Sequence, residues 1–317
     1  MEYQEKIQQA LDAVEQVIIG KNTCVEKVME AILAGGHILI EDIPGVGKTS
    51  LAVAFAKVLD LKQNRVQFTP DVLPADITGF SMYRKETGTF EYQQGAAMCN
   101  MFLADEINRT SPKTQSALLE VMEERTVTVD GKTRKVPSPF HVIATENPIG
   151  SAGTQMLPES QLDRFMIRLK MGYPKKKDEM QILMSRDKVN PMDHLQPVLT
   201  GREVLEIQEE VEEIYLHPVI YEYIVDLITA TREHEMLELG VSTRGGLALA
   251  KMAKAGAFLA GRNYVIPNDV EERFVYVTEH RVRLSSKAHL NHMTEEEVVN
   301  EILRSVKKPT PQKKIRM

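Results

Sequence analysis

The sequence predicts an α/β core, with a largely parallel sheet flanked by helices, followed by a small all-helical domain. Three observations carry this prediction. Apolar strand-like runs alternate with helical patterns in the first half of the chain, and a glycine-rich turn joins the first of these strands to a helix. After residue 174 helical periodicity continues with no strand of note. Strands that alternate with helices favour parallel pairing, with helices on both faces of the sheet.

Composition sets the class of protein. The chain has 317 residues, enough for two domains, with 43% apolar residues and a net charge of −6, as in soluble globular proteins. Two cysteines cannot form a disulfide framework. The longest nearly apolar stretch, 31–40, is too short to span a bilayer, and the polar start MEYQEK is unlike a signal peptide. We therefore expect a cytoplasmic protein without membrane insertion.

The elements of the first half follow from apolar spacing and turn residues. Helices are predicted at about 7–18, 24–34, 48–59 and 112–124, and strands at 37–40, 65–69, 101–104, 140–145 and 165–169. Two stretches, 79–92 and 126–136, interrupt the alternation and are predicted to be β-hairpins, the second with Asp130-Gly131 as its turn.

The second half is predicted to be helical at 180–184, 203–214, 219–232, 243–259 and 268–278. A change of character after Tyr173-Pro174 places the domain boundary there. We expect an α/β core over 1–174, a helical domain over 175–306 and a basic tail over 307–317.

The strongest motif is Gly47-Lys48-Thr49 at the first strand-to-helix junction, with Gly45 two residues earlier. Glycines let successive backbone N–H groups turn toward phosphate oxygens, and the helix N-terminus favours an anion. Lys48 would reach the β- and γ-phosphates, and the Thr49 hydroxyl would bind Mg²⁺. Asp42 stands where this pattern has its first glycine. The alternative is an ordinary glycine turn with a surface lysine.

Polar residues also follow two later strands. Asp105 and Glu106 come directly after 101–104, and Asn147 follows 140–145. Ligands of α/β sheets bind at the carboxyl ends of the strands. Asp105 suits a hold on Mg²⁺, Glu106 suits the activation of a water, and the Asn147 amide suits positioning that water. Each alone would be a turn residue; together with the glycine loop they predict a nucleotide-hydrolysing site.

Three arginines are candidates for contact with a nucleotide. In a ring ATPase an arginine of the neighbouring subunit can stabilise the charge on the γ-phosphate. Arg164, before the last predicted strand, and Arg109, after the acidic pair, compete for that role. Arg244, in the first turn of a helix that Ser242 would cap, could reach a nucleotide from the helical domain. Each could equally be a surface arginine.

Together these motifs resemble those of the AAA+ ATPases, and several segments resemble the MoxR family within them. The resemblance covers residues 8–285 and is carried by GHILIEDIPGVGKTSLA (36–52), RVQFTPDVLPADITG (65–79), LADEINRTSPKTQSALLEVMEE (103–124), HVIATENP (141–148), LPESQLDRF (157–165), STRGGLALA (242–250) and GRNYVIPNDV (261–270).

This resemblance implies a role for each matching residue. The Walker A loop would comprise Pro44, Gly45, Val46, Gly47, Lys48, Thr49 and Ser50. Ile18, Ile19 and Gly20 would line the adenine pocket, and Thr49 and Asp105 would bind the metal. The remaining roles would be Glu106 as catalytic base of Walker B, Asn147 as sensor 1, Arg164 as arginine finger and Arg244 as sensor 2. Gly245-Gly246 departs from the family, which usually has two alanines there.

The resemblance also implies a function. The protein would hydrolyse ATP with Mg²⁺ at the subunit interfaces of a ring, which is expected to be a hexamer. The two hairpins would face its central pore. The role would be chaperone-like, remodelling or maturing a client protein, with a partner that bears a von Willebrand factor A domain.

Two alternatives remain open at this point. Related AAA+ rings act on DNA, and Lys132, Arg134 and Lys135 on the second hairpin could form a basic patch. The net charge of −6 argues against a large phosphate-binding surface, so nucleic acid is not the expected partner. A nucleotide-gated scaffold with little turnover would use the same site residues.

Overall fold

Residues 3–43, 45–147, 157–186 and 190–310 are described by the structure, a computed structural model of the chain. The chain divides into two compact units, Met1–Glu209 and Glu210–Met317. The division lies downstream of residue 174, because the helices that directly follow Tyr173 pack within the first unit. A functional domain boundary at 174 stays a prediction.

The first unit contains the predicted parallel sheet. In its described part the strands are β1 (Ile38–Glu41), β2 (Gln63–Gln67), β3 (Gly79–Arg84), β4 (Thr89–Gln94), β5 (Met101–Asp105), β6 (Thr126–Val129), β7 (Lys132–Lys135), β8 (His141–Glu146) and β9 (Ile167–Leu169). Five of them form one sheet in the order β2-β5-β8-β1-β9, and every pair in it is parallel.

Helices accompany these strands. The described helices of this unit are α1 (Gln4–Val17), α2 (Asn22–Leu33), α3 (Lys48–Val58), α4 (Pro74–Thr78), α5 (Pro112–Glu124), α6 (Glu159–Leu162) and α7 (Lys176–Arg186), and α8 (Gly201–Glu212) spans the division between the units. The short α4 and α6 were not predicted, because four or five residues are too few for a periodic pattern. The start of α5 follows local chemistry: the Ser111 hydroxyl accepts a hydrogen bond from the Thr114 N–H, and Pro112 occupies the first turn.

The sheet is buried on both faces. All five residues of β5 are buried, and so are the first five of β8. Phe102, Phe140 and Phe165 belong to one apolar cluster with side chains of α5 such as Leu118. Because β1, β5 and β8 are adjacent and parallel, their carboxyl ends open at the same edge of the sheet.

Both predicted hairpins form. β3 pairs with β4, and β6 pairs with β7 around Asp130 and Gly131, whose positive φ values of 51° and 71° match a type I′ turn. The Arg134 guanidinium lies over the Tyr92 ring, 4.0 Å from its centroid. This cation–π contact joins the two hairpins to each other.

The second unit is largely helical, as predicted. Its described elements are α9 (Pro218–Glu233), β10 (Leu237–Leu239), α10 (Thr243–Leu259), α11 (Pro267–Thr278), β11 (Arg283–Leu284), α12 (Ser286–Leu290) and α13 (Glu295–Ser305). The antiparallel β10–β11 ribbon and α13 were not predicted. The capping box of Thr294 with Glu297 and the buried Val298 and Ile302 were the sequence signals for α13. No helix in the described ranges is long and apolar enough to cross a membrane.

Close packing explains the two glycines that depart from the family pattern. A Cβ on Gly245 would lie 2.8 Å from Cδ of Arg281, and a Cβ on Gly246 would overlap Cδ1 of Ile228 on α9. Both glycines are buried in the first turn of α10. They let this helix approach its neighbours more closely than alanines would.

A buried histidine links β8 to other parts of the first unit. The Nδ1 atom of His141 lies 2.9 Å from the Gly36 carbonyl oxygen, and Nε2 lies 3.2 Å from Nε2 of Gln208. These partners assign the proton to Nδ1. Burial, with a smaller effect of the Arg125 charge, lowers the pKa of His141 to about 4, so the ring is neutral.

We expect this histidine to make stability depend on pH. Its pKa is lower in the folded chain than the ordinary 6.5, so below pH 6.5 the unfolded chain binds a proton that the folded chain excludes. Stability is full above pH 6.5 and falls by about 2 kcal/mol per such histidine between pH 7 and pH 5. Urea unfolding followed by circular dichroism measures this, since the chain has no tryptophan.

The matched variant is His141→Gln. Its free energy of unfolding is expected to be lower at pH 7 but to fall less on acidification than that of the wild type. Parallel pH profiles for the two proteins would contradict the assignment of a neutral buried His141.

Candidate functional site

The glycine loop lies between β1 and α3. Gly45 and Gly47 have φ values of 87° and 98°, a left-handed conformation that glycine adopts without strain. A Cβ on Gly45 would meet nothing within 4 Å, so the space in front of this residue is open. Gly47 occupies the N-cap position of α3, where backbone N–H groups favour an anion. Pro44, predicted to belong to the same loop, lies outside the described residues.

Lys48 is the first residue of α3 and is buried. Its Nζ donates hydrogen bonds to the backbone oxygens of Asp42 at 2.5 Å and of Glu146 at 3.3 Å. Burial lowers the pKa of Lys48, while the charges of Asp42, Asp105 and Glu106 act in the opposite direction. The ammonium group therefore lies at the ends of β1 and β8 among oxygen acceptors.

Asp105 ends β5 and is held by three neighbouring side chains. Its Oδ1 accepts from the Thr145 hydroxyl at 2.7 Å, and its Oδ2 accepts from Nη2 of Arg65 at 2.6 Å. The Thr49 hydroxyl lies 3.4 Å from the same Oδ2 atom. The two predicted metal ligands, Thr49 and Asp105, are thus adjacent. Arg65 and Thr145 were missed by the sequence analysis; their only signal is their position on β2 and β8, next to β5.

Glu106 follows in a left-handed conformation, with φ 57°. Its N–H donates to the Thr145 hydroxyl at 2.9 Å. Its Oε1 accepts from Nδ2 of Asn147 at 2.9 Å, and its Oε2 accepts from Nη1 of Arg109 at 2.8 Å. Burial raises the pKa of Glu106, but the hydrogen bonds from Arg109 and Asn147 outweigh it and hold the pKa below its usual value. The carboxylate is therefore ionised near neutral pH.

Most of the predicted residues line one cavity of about 550 Å³ in the first unit. This volume lies within the range of small-molecule sites. One group of its lining residues, here called the phosphate wall, comprises residues 45–50, 105, 106 and 147. The other group, here called the apolar wall because most of its members are apolar, comprises residues 17–19, 21, 173, 174, 179, 182 and 183. The predicted base-binding residues Ile18 and Ile19 belong to the apolar wall.

Among the described residues, the predicted Gly20, Arg164 and Arg244 do not line this cavity, and neither does the competing finger candidate Arg109. Gly20, with φ 75°, packs its backbone against the Asp178 side chain. Arg164 is half-buried, and its Nη1 donates to the backbone oxygen of Leu119 on α5. Arg244 belongs to the second unit, where it is exposed in the first turn of α10, and Ser242 caps that helix as predicted.

The side chains fit a nucleotide with Mg²⁺. Glycine-loop N–H groups and Lys48 suit phosphate oxygens, and the Thr49 hydroxyl and Asp105 carboxylate are hard oxygen donors. The described residues contain no group of three or more His, Cys, Asp or Glu side chains placed to hold a metal by themselves. Mg²⁺ commonly takes only one or two protein ligands and completes its shell with phosphate and water, so the small donor set is appropriate.

Comparison with known proteins identifies the class. Residues 37–167 match the model of the ATPase family associated with various cellular activities (AAA), and residues 229–302 match that of the AAA lid domain. A crystal structure of a candidate ATPase from Cytophaga hutchinsonii has a TM-score of 0.90 and 36% identity, covering 98% of this chain and 96% of that one.

Two relatives of similar length define the family. The chain is 45% identical to the uncharacterized protein YeaC of Bacillus subtilis over the full length of both. It is 39% identical to the chaperone MoxR1 of Mycobacterium tuberculosis, over 96% of this chain and 82% of that protein. The chain therefore belongs to the MoxR family of AAA+ ATPases.

The shared hydroxyl of Thr145 gives a test of the site's geometry. Thr145→Val keeps the shape but leaves a buried Asp105 oxygen and the Glu106 N–H without this partner. We expect the free energy of unfolding to fall by about 1–3 kcal/mol. Thr145→Ser keeps the hydroxyl and is the control. Urea unfolding of both variants decides, and equal losses would show that the hydroxyl does not support the site.

Proposed function

We propose that this protein binds ATP with Mg²⁺ in the cavity of the first unit and hydrolyses it. The observation that carries the proposal is the convergence of Lys48, Thr49, Asp105, Glu106 and Asn147 on that cavity. These residues come from the ends of β5 and β8 and the start of α3. A cation, a hydroxyl, two carboxylates and an amide at a helix N-terminus are the groups that phosphoryl transfer to water requires.

The phosphate wall would bind the triphosphate. Backbone N–H groups of 45–50 would contact phosphate oxygens, and Lys48 would exchange the carbonyl oxygens of Asp42 and Glu146 for the β- and γ-phosphates. Thr49 and Asp105 would hold Mg²⁺, which when bound neutralises charge on the phosphate oxygens. The apolar wall, with Ile18 and Ile19, would contact the adenine.

Glu106 would accept a proton from the attacking water. Each of its oxygens already accepts one hydrogen bond and keeps a second acceptor site. Because these bonds lower the pKa of Glu106, release of one of them would make the carboxylate a stronger base. Arg109 is the partner suited to leave, because its side chain is 41% exposed. Asn147 is buried, and its backbone oxygen accepts from Nδ2 of Asn108. Asn147 would then stay in place to orient the water.

We further propose a ring, expected to be a hexamer, in which Arg164 of one subunit stabilises the charge on the γ-phosphate bound by its neighbour. One consideration supports this choice: the position of Arg164 matches the arginine finger of the family. In this role Arg164 would exchange its contact with Leu119 for the phosphate. Arg244 would respond to the same nucleotide as sensor 2.

We propose that the free energy of ATP hydrolysis drives the remodelling of a client protein. The relative from M. tuberculosis is named a chaperone. The first hairpin carries exposed aromatic side chains, Tyr83 and Phe90, whose ring centroids lie 5.4 Å apart. Such a pair suits contact with an unfolded or flexible segment. A partner with a von Willebrand factor A domain is proposed on the family resemblance, and the cytoplasm is the proposed location.

The structure favours neither alternative function. The basic patch that would serve a DNA motor includes Arg134, whose guanidinium stacks on Tyr92 within the chain. A nucleotide-gated scaffold would keep the same cavity and differs only in turnover.

The first test is Glu106→Gln, which removes the general base and preserves the shape. We expect hydrolysis to fall by about 10²–10⁴-fold while the dissociation constant for ATP changes less than threefold. Phosphate release and calorimetric titration measure the two quantities. Glu120→Gln, at an exposed position of α5, is the matched control and should leave both unchanged. Full activity of the Glu106 variant would exclude its proposed role.

The second test is complementation between subunits. Arg164→Ala is expected to lower hydrolysis by about 10³-fold or more, as arginine fingers do elsewhere. Mixing this inactive variant with inactive Glu106→Gln should restore hydrolysis, because some interfaces then combine an intact Glu106 with an intact Arg164. Arg109→Ala alone should retain activity. Restoration by Arg109→Ala in place of Arg164→Ala would reverse the assignment, and no restoration by either would contradict a shared site.

A further inference from the structure

Asp42 stands at the start of the glycine loop (the P-loop), at the position where the phosphate-binding pattern has its first glycine. Its side chain is buried. The carboxylate accepts three backbone hydrogen bonds. Oδ1 accepts from the Ile43 N–H at 2.8 Å, and Oδ2 accepts from the N–H groups of Met171, at 2.5 Å, and Gly172. The start of the P-loop is therefore fastened to a segment almost 130 residues away in the chain.

That segment presents both donors in one direction. Both N–H groups bond to the same atom, Oδ2 of Asp42, and Gly172 has a left-handed φ of 62°. Successive N–H groups in this arrangement form an anion-binding concavity. Here the anion is a side chain of the protein itself. Because charge-assisted hydrogen bonds are stronger than neutral ones, the contact between Asp42 and residues 171–172 is a strong one.

A second contact holds the same segment from another side. Nζ of Lys21 donates to the backbone oxygens of Met171 and of Tyr173, the latter at 3.0 Å. The N–H groups of Met171 and Gly172 are thus bound to Asp42, and the carbonyl groups of Met171 and Tyr173 are bound to Lys21. Both charged residues lie beside the cavity: Lys21 belongs to its apolar wall, and the Asp42 carbonyl oxygen accepts from Lys48 of its phosphate wall.

The fastened segment leads directly into the apolar wall. Tyr173 and Pro174 line the cavity, and α7, which begins at Lys176, contributes Glu179, Ile182 and Leu183. The hydrogen bonds of Asp42 therefore connect the two walls. Its backbone oxygen accepts from Lys48 of the phosphate wall, and its carboxylate binds Met171 and Gly172, which directly precede Tyr173 and Pro174 of the apolar wall.

We propose that Asp42 is a positioning residue that sets the apolar wall against the phosphate wall, so that the site binds a nucleoside triphosphate more tightly than a bare triphosphate chain. This inference rests on the proposed function, because it assumes that the cavity binds ATP. Glycine at this position would leave the phosphate loop able to bind phosphate, yet would release the wall that contacts the base.

The experiment compares two ligands in each protein. Calorimetric titration in Mg²⁺ measures the dissociation constants of the non-hydrolysable analogue AMPPNP and of inorganic tripolyphosphate. For Asp42→Gly we expect the constant for AMPPNP to rise about tenfold or more, as for loss of a charge-assisted contact. The constant for tripolyphosphate should change less than twofold. Asp42→Asn keeps an acceptor oxygen and should show a smaller loss of the same kind.

Lys21→Met removes the hydrogen bonds that hold the same segment through the carbonyl oxygens of Met171 and Tyr173. It should reproduce the selective loss, and the double variant with Asp42→Gly should lose little more than either alone, since both act through residues 171–173. Thermal unfolding by circular dichroism checks that each variant folds. If Asp42→Gly does not fold, Asp42→Asn and Lys21→Met carry the test.

The outcomes separate the two proposals. A wild-type protein that binds neither ligand would overturn the proposed function. Tight binding by the wild type, with equal losses for both ligands in the Asp42 variants, would show that Asp42 shapes only the phosphate loop and would overturn this inference. Unchanged binding of AMPPNP would overturn it as well.

Discussion

The candidate site depends on the parallel pairing of β1, β5 and β8. Parallel strands all end at one edge of a sheet, so residues about a hundred positions apart in the chain meet there without any long loop to position them. The pairing is secured by apolar burial, since β5 is buried along its whole length. Polar groups then begin at the residues where the strands stop, at Asp42, Asp105 and Asn147. The fold thus separates an uncharged interior from a charged rim within one or two residues.

Three carboxylates of the rim, those of Asp42, Asp105 and Glu106, are each matched by hydrogen-bond donors. Asp42 accepts from backbone N–H groups, Asp105 from Thr145 and Arg65, and Glu106 from Arg109 and Asn147. Burial of a carboxylate costs free energy unless hydrogen-bond donors satisfy its oxygens. The consequence is a set of negative charges that are fixed in direction before any ligand arrives. Fixed charges and dipoles need little reorganisation during a reaction, which is the main electrostatic advantage of an enzyme over water.

The sequence predicted the local motifs of the site and the features that depend only on where strands end. The glycine loop with Lys48 is a contiguous motif, and Asp105, Glu106 and Asn147 come after apolar strands, so their convergence could be inferred. The partners of these residues could not. Arg65 meets Asp105 because β2 lies next to β5, and Asp42 meets Met171 through the return of the chain after β9. Such contacts depend on strand order, register and rotamer, which spacing does not encode. The ends of β2 were misplaced for a related reason: its pairing with β5 covers Gln63–Gln67, whereas Phe68 is buried beyond the strand.

The stacking of Arg134 on Tyr92 has a mechanical consequence. A two-stranded ribbon that projects alone has little stability of its own, because no third strand or helix packs against it. Because Arg134 and Tyr92 connect them, β3–β4 and β6–β7 are expected to move together, so that a displacement of either ribbon also displaces the other. Residues of β3 and β6 also lie close to each other, so the stacked pair reinforces a contact that the two ribbons already make.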